Sequence, residues 1–127
     1  MRKGAAVSKL VIADERESEH RYAAYLDGRP VGRASAILVR ETILAPHVEV
    51  DPECRDLGVG SLLVRRVVED ARSEGHTVLA LCPFTRRWAD LHPDCRDVVR
   101  RPRAGELSSV AALLAADRTM RLLHHAP

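Results

Sequence analysis

The chain has 127 residues, 46% of them hydrophobic, and a formal net charge of +2 at neutral pH. That length and apolar content suit one domain with its own core, and the charge is too small to point to nucleic acid by itself. No apolar run approaches the length of a membrane span, and the basic start Met1-Arg2-Lys3 lacks the apolar stretch of a secretory signal, so a cytoplasmic protein with no membrane partner is expected.

From the N-terminus, the mostly apolar run Val7 to Ala13 predicts a first strand, and the polar stretch Asp14 to Glu19 predicts a turn. His20 to Leu26 predicts a second strand. It reaches Asp27-Gly28, the strongest hairpin signal in the chain, and Val31 to Val39 alternates as its antiparallel return. After Arg40-Glu41, Thr42 to Val50 predicts a fourth strand, with Ile43, Ala45, His47 and Glu49 on one face and Leu44, Pro46, Val48 and Val50 on the other. His47 and Glu49 are then neighbours, with Cα atoms about 6.6 Å apart at twice the rise per strand residue. Pro46 cannot donate to a strand ladder and marks a place where the sheet can open.

Beyond Val50 the pattern changes from alternation to helical spacing across Gly58-Val59-Gly60. Leu62, Leu63, Val64, Val67, Val68 and Ala71 follow one helical stripe, with Arg65, Arg66, Glu69, Asp70 and Arg72 facing water. A helix is therefore predicted from Gly58 to about Glu74, stopped by Gly75. Two close glycines let the backbone approach a ligand, and the first amides of a helix are unpaired at the positive end of its dipole, so an anion is expected there. Two familiar phosphate motifs fail: no Gly-Lys-Ser/Thr follows, and Leu63 stands where a dinucleotide fingerprint needs its third glycine. Gly-x-Gly before a helix is also what an ordinary turn looks like.

Thr77 to Leu81 predicts a buried strand parallel to the one before the helix, which makes a strand-helix-strand crossover. Thr85 is the predicted cap of a second helix over Arg86 to Leu91, ended by His92-Pro93. Arg96 to Arg103 is basic around two valines, and Leu107, Val110, Ala111, Leu113 and Leu114 predict a last helix. The expected organisation is one domain over residues 1–103, with a helical extension over 104–127 packed on it. Cys54, Cys82 and Cys95 are odd in number and form no Cys-x-x-Cys pair, which disfavours a disulfide framework and a structural zinc site. The histidines are scattered except for His124-His125, so no metal is expected.

Arg55-Asp56-Leu57-Gly58-Val59-Gly60 fills every specified place of Gln/Arg-x-x-Gly-x-Gly/Ala, and in this it resembles the acyl-CoA loop of the GCN5-related N-acetyltransferases (GNAT). Arg21-Tyr22, Asp27-Gly28, His47-Val48-Glu49-Val50, Cys82-Pro83-Phe84 and His92-Pro93 extend the likeness, over roughly Val7 to Val99, to a short acetyltransferase-like branch with a Cys-Pro-Phe motif. Val48 stands where that branch has threonine, Ala80 where proline is common, and Trp88 and Cys95 where tyrosine is usual. The resemblance implies an α/β, GNAT-like mixed sheet of about five strands, the first four antiparallel and followed by a β-α-β crossover, with two to three helices. It implies acetyl-CoA (coenzyme A) as cosubstrate, held by Val48, Val50, Arg55, Leu57, Gly58, Val59, Gly60 and Ser61. Nothing in it describes the segment from Arg100 to Pro127.

Acetyl transfer to an amine needs a base for the ammonium proton and a proton donor for the departing thiolate. His47 and Glu49 are the candidate bases, and Cys82 the candidate donor or nucleophile. Each has a plain structural alternative: a polar group on a sheet face, an exposed carboxylate, a buried thiol. Trp88 is expected to pack on the core. The acceptor is a small-molecule or peptide amine that the sequence does not identify, and a homodimer stays open. A reading from another class is a catalytically inactive CoA- or acyl-CoA-binding or protein-interaction module. A nucleic-acid binder would rest on Arg96, Arg100, Arg101 and Arg103, which lack the interleaved aromatics of such surfaces.

Overall fold

The computed structural model describes residues 8–110 together with Ala112 and Ala115. In chain order it has β1 (Leu10–Glu15), a single turn α1 (Arg16–Glu19), β2 (Arg21–Leu26), β3 (Arg29–Ser35), β4 (Ile37–Val39), β5 (Thr42–Ala45) and β6 (Val48–Val50). A 3-10 segment (Pro52–Leu57), α2 (Val59–Glu74), β7 (Thr77–Ala80), α3 (Pro83–Leu91), a 3-10 turn (Pro93–Cys95) and β8 (Val99–Arg100) follow. The strands form two four-stranded sheets. The first, ordered β1-β2-β3-β6, is antiparallel throughout; the second, ordered β4-β5-β7-β8, is antiparallel at β4-β5 and parallel beyond.

The α/β class and the crossover are those expected, but two of the expected strands are each broken in two. The run Val31 to Val39 leaves the first sheet at Ala36, whose N–H donates to the His20 carbonyl (2.9 Å), and continues as β4 in the second. The run Thr42 to Val50 returns at Pro46-His47, where proline has no ladder donor to offer. The parallel partner of β7 is therefore β5, with Ile43 opposite Val78 and Ala45 opposite Ala80, while β6 is left as the open edge of the first sheet. Asp27 and Gly28 both have positive φ (51° and 83°), the hairpin geometry that their sequence favours.

The first strand runs on to Glu15, two residues past its expected end, because Asp14 and Glu15 pair with Tyr22 and Arg21. Thr85 is not a helix cap. Pro83 opens α3 with Cys82 at the N-cap, and the buried Thr85 hydroxyl has no hydrogen-bond partner among the described residues. Leu62, expected on the apolar stripe, is exposed, while Leu63, Val64, Val67, Val68 and Ala71 are buried. This face of α2 lies across the first sheet. Gly32 permits the close approach: a Cβ there would sit 3.0 Å from Val59 Cγ1 and 3.1 Å from the Glu49 carbonyl oxygen.

The far face of the second sheet buries Leu44 and Leu79 under Val110, at the start of the C-terminal helical segment. Arg100 fixes that start by donating to both oxygens of Glu106 (2.9 and 2.8 Å), and Glu106 Oε1 also accepts the Arg103 N–H (2.7 Å). Leu107 is exposed. Ala111, Leu113 and Leu114, expected on the packing face, lie outside the described residues, as does Val7 at the other end.

Arg16 ties β1 to α2, donating to Asp14 (2.9 and 2.8 Å) and to Glu74 (2.8 and 3.1 Å). Its guanidinium holds the Asp14 carboxyl at about 2, against an ordinary value of 3.8. A carboxyl depressed in the fold contributes stability above its unfolded value and loses it as pH falls through the folded one. Wild type should therefore be more stable than Asp14→Asn above about pH 4, and the two should converge toward pH 2. Parallel urea titrations across that window check this; a constant difference down to pH 2 would contradict it.

Candidate active site

The N-terminus of α2 is built by two glycines with different tasks. Gly58 takes φ of +73° and turns the chain from the 3-10 segment into the helix. The first intrahelical bond runs from Leu62 N–H to the Gly58 carbonyl (3.1 Å), so the amides of Val59, Gly60 and Ser61 precede the helical ladder. No acidic residue stands in that first turn to compete for them. Gly60 faces Phe84 of α3, and a Cβ on it would lie 2.8 Å from Phe84 Cζ. Beside it, Ser61 Oγ accepts from Trp88 Nε1 (3.0 Å), and the Trp88 ring is buried, stacked on His92 at 4.0 Å with Arg65 over it at 5.2 Å. Trp88 packs in the core, as its residue type suggests.

The open edge of β6 forms the neighbouring wall. Ser35 N–H donates to the His47 carbonyl (2.9 Å) and Asp51 N–H to the Val31 carbonyl (2.8 Å). Residues 47, 49 and 51 thus spend their backbone groups on β3, and by alternation Val48 and Val50 turn theirs toward the open side. On the face of this sheet away from α2, Glu49 meets its cross-strand partner Arg33 (2.5 Å) and, two residues back along the chain, His47 Nε2 (3.3 Å). His47 first and then Arg33 hold the Glu49 carboxyl below its ordinary range.

These parts share one cleft of about 1100 Å³. Of the residues expected at the site, His47, Val48, Glu49, Val50, Arg55, Gly58, Gly60 and Ser61 line it. Leu57, Val59 and Cys82 are not among the lining residues. Val59 is completely buried, and Leu57 is exposed to solvent. Cys82 is 7% exposed at the start of α3. Sequence reasoning missed Arg21, Tyr25, Arg33 and Phe84, which also line the cleft. Strand periodicity carries the signal for two of them, since Arg21, Ala23 and Tyr25 share one face of β2.

Over residues 21–98 the chain matches the family described as GCN5-related N-acetyl-transferase. The chain belongs to that family. The matched region contains the α2 loop, β6 and Cys82, and so the whole lining of the cleft. Among solved structures, similarity is found to the ribosomal-protein-S18-alanine N-acetyltransferase from Escherichia coli (15% identity, 58% of this chain and 52% of that one, TM-score 0.49). AAC(6')-Iy in complex with a bisubstrate analog is similar at 20% identity over 63% of each chain (TM-score 0.44). The IAA acetyltransferase from Bacillus cereus ATCC 14579 is similar at 22% identity over 57% of this chain and 62% of that one (TM-score 0.42). The chain therefore spans between about half and two thirds of the length of these structures. No curated protein sequence matches it.

Within this GNAT domain the cleft brings together the start of α2 and Arg55, the strand edge of Val48 and Val50, and the ionisable Glu49 and His47. No helix among the described residues is long and apolar enough to cross a membrane.

Proposed function

We propose that the protein binds acetyl-CoA in this cleft and transfers its acetyl group to an amine. The observation that carries the proposal is the opening of the Gly58–Ser61 turn and the His47-Glu49 pair onto one cleft. The fit is supported at Gly60, where a side chain would occupy the space in front of Phe84, and at the Gly60 and Ser61 amides at the start of α2, which suit a pyrophosphate. The exposed backbone of Val48 and Val50 suits an amide-bearing arm. Acetyl-CoA supplies an activated thioester when bound.

Within this proposal Glu49, ionised at neutral pH, takes up the ammonium of the acceptor, and the Glu49-His47 pair accepts its proton. The freed nitrogen forms the amide bond as the thioester C–S bond breaks; the nitrogen sheds a second proton as it does so, which balances the one that leaves with the sulfur as thiol. Cys82 is the weaker candidate for giving that proton, because its thiol is buried away from the cleft. Cys82→Ala should cost roughly 1 kcal/mol of stability, as for a small buried truncation, and leave transfer per folded molecule near the wild-type rate. A drop of about 10²-fold in transfer with CoA affinity intact would restore the cysteine to the mechanism.

Calorimetry with CoA, followed by thiol release from acetyl-CoA in the presence of amines, tests the proposal. CoA binding without amine-dependent release would favour a binding module, and absence of both would reject the proposal.

A further inference from the structure

We propose that the acceptor is a zwitterionic amine, one that carries its own carboxylate or similar anion a few bonds from the reacting nitrogen; free α-amino acids are the simplest members. This rests on the acetyl-transfer proposal above and narrows it. The argument is the charge pattern on the sheet face beside the His47-Glu49 pair.

Each carboxylate of that face and of the cleft wall already faces a guanidinium; Asp51, which lines the cleft, has Arg29 Nη1 at 3.7 Å and accepts the Glu53 N–H (3.1 Å). Glu15 accepts from Arg21 Nε (2.8 Å) and from the Tyr25 hydroxyl, and Glu49 is met by Arg33 Nη2 (2.5 Å) and His47 Nε2 (3.3 Å). Their neighbours hold both carboxyls below the ordinary range, so both stay ionised and committed. The arginines are less fully used. A guanidinium has five N–H donors and stays charged at any physiological pH. Among the described residues Arg21 spends Nε on Glu15, and Arg33 spends Nη2 on Glu49. Both line the cleft, with the small Ala23 between Arg21 and Tyr25 along β2.

The wall thus has spare cationic donors, and no carboxylate in it stands without a guanidinium beside it. A polycationic amine would leave charges unpaired and meet Arg21 and Arg33 as like charges, which disfavours it. A neutral-tailed alkylamine would use Glu49 alone. A zwitterion satisfies both signs. Its ammonium exchanges into Glu49 as its anion takes the Arg33 guanidinium, with Arg21 one residue row away on the same face. Opening the Arg33-Glu49 pair costs little, since both side chains are about half exposed and such pairs are weak in water. The replacement contact on the anion is a charge-assisted Arg–carboxylate pair, the stronger kind.

The test uses the full chain, saturating acetyl-CoA and thiol release, with glycine, L-alanine, glycinamide, ethylamine and spermidine as acceptors. Glycinamide is the decisive control, because it lacks the negative charge while its amine deprotonates more readily than that of glycine. The expected result is a kcat/KM for glycine and L-alanine at least about tenfold above glycinamide, ethylamine and spermidine, as one charge-pair contact is worth. Arg21→Met should shrink the glycine-to-glycinamide ratio through KM, and Arg21→Lys should keep part of it; circular dichroism establishes that each is folded. Equal rates for glycine and glycinamide, or preference for spermidine, overturn the acceptor class and leave acetyl transfer standing. Thiol release that no amine accelerates overturns the transfer proposal and the acceptor class with it.

Discussion

In a Gly60→Val variant, CoA affinity should fall by about 10²-fold or more while the domain stays folded, a loss of roughly 2.8 kcal/mol at 1.4 kcal/mol per tenfold. Gly60 is the second residue of α2 and lines the cleft. Even a lone Cβ there comes within 2.8 Å of Phe84 Cζ and 3.3 Å of Cε1. Phe84 is partly exposed, so its ring can swing aside and the fold can accept the change. The space in front of the amides is then filled either by the displaced ring or by the branched valine, and a phosphate loses its approach to the backbone. Gly58→Ala should behave differently. Nothing lies within 4 Å of a Cβ at Gly58, but its φ of +73° costs an alanine about 1–2 kcal/mol, so stability should drop more than affinity. Trp88 is the chain's only tryptophan and donates to Ser61 beside these amides, so its fluorescence reports occupancy directly. Unchanged CoA titrations in a folded Gly60→Val protein would remove the phosphate site from this turn.

Much of this candidate site is legible in the sequence, for reasons particular to a few residues. Glycines at 58 and 60 ahead of a helical stripe announce a turn that backbone alone must shape, and period-two alternation puts His47 beside Glu49 wherever the strand goes. Pro46 also signalled correctly that the strand would be interrupted. What it could not convey is that the chain changes sheets there, because sheet membership depends on partners distant in sequence, here Thr77–Ala80 for β5 and Arg29–Ser35 for β6. Local alternation looks the same on either side of the break.

Thr85 misleads for a related reason. A threonine before a helical run suits an N-cap, yet Pro83 starts the helix three residues earlier than Arg86 because its fixed φ suits the first turn, and the threonine is drawn into the core. The cap position falls to Cys82, whose thiol is then covered. For Arg21, Tyr25 and Arg33 the difficulty was the reverse. A polar residue on an alternating strand is usually just the solvated face, and only the cross-strand register of β2, β3 and β6 brings these side chains into one cleft with Glu49.

That gathering sets the last expectation, on the base. Glu49→Gln and His47→Ala should each lower amine-dependent acetyl transfer by about 10²-fold or more, the range for loss of a positioned acid-base group. Both residues are exposed on the sheet face, so stability should move by no more than about 0.5 kcal/mol, and CoA affinity should stay close to that of wild type. The pH dependence separates a base from a merely structural residue. His47 and Arg33 keep the Glu49 carboxyl below its ordinary value of 4.5, so its contribution persists through neutral pH and is lost only as pH falls below that value. Arg33→Met removes one of the two groups that lower it, and the carboxyl should then take up its proton at a higher pH. The acid limb of kcat/KM, which reports the free protein, should accordingly shift upward in Arg33→Met and vanish in Glu49→Gln, where no titrating group is left at that position. If kcat/KM in Glu49→Gln keeps both the wild-type magnitude and the wild-type acid limb, the proton is taken elsewhere, and the ion pairs on this face serve the sheet and not the reaction.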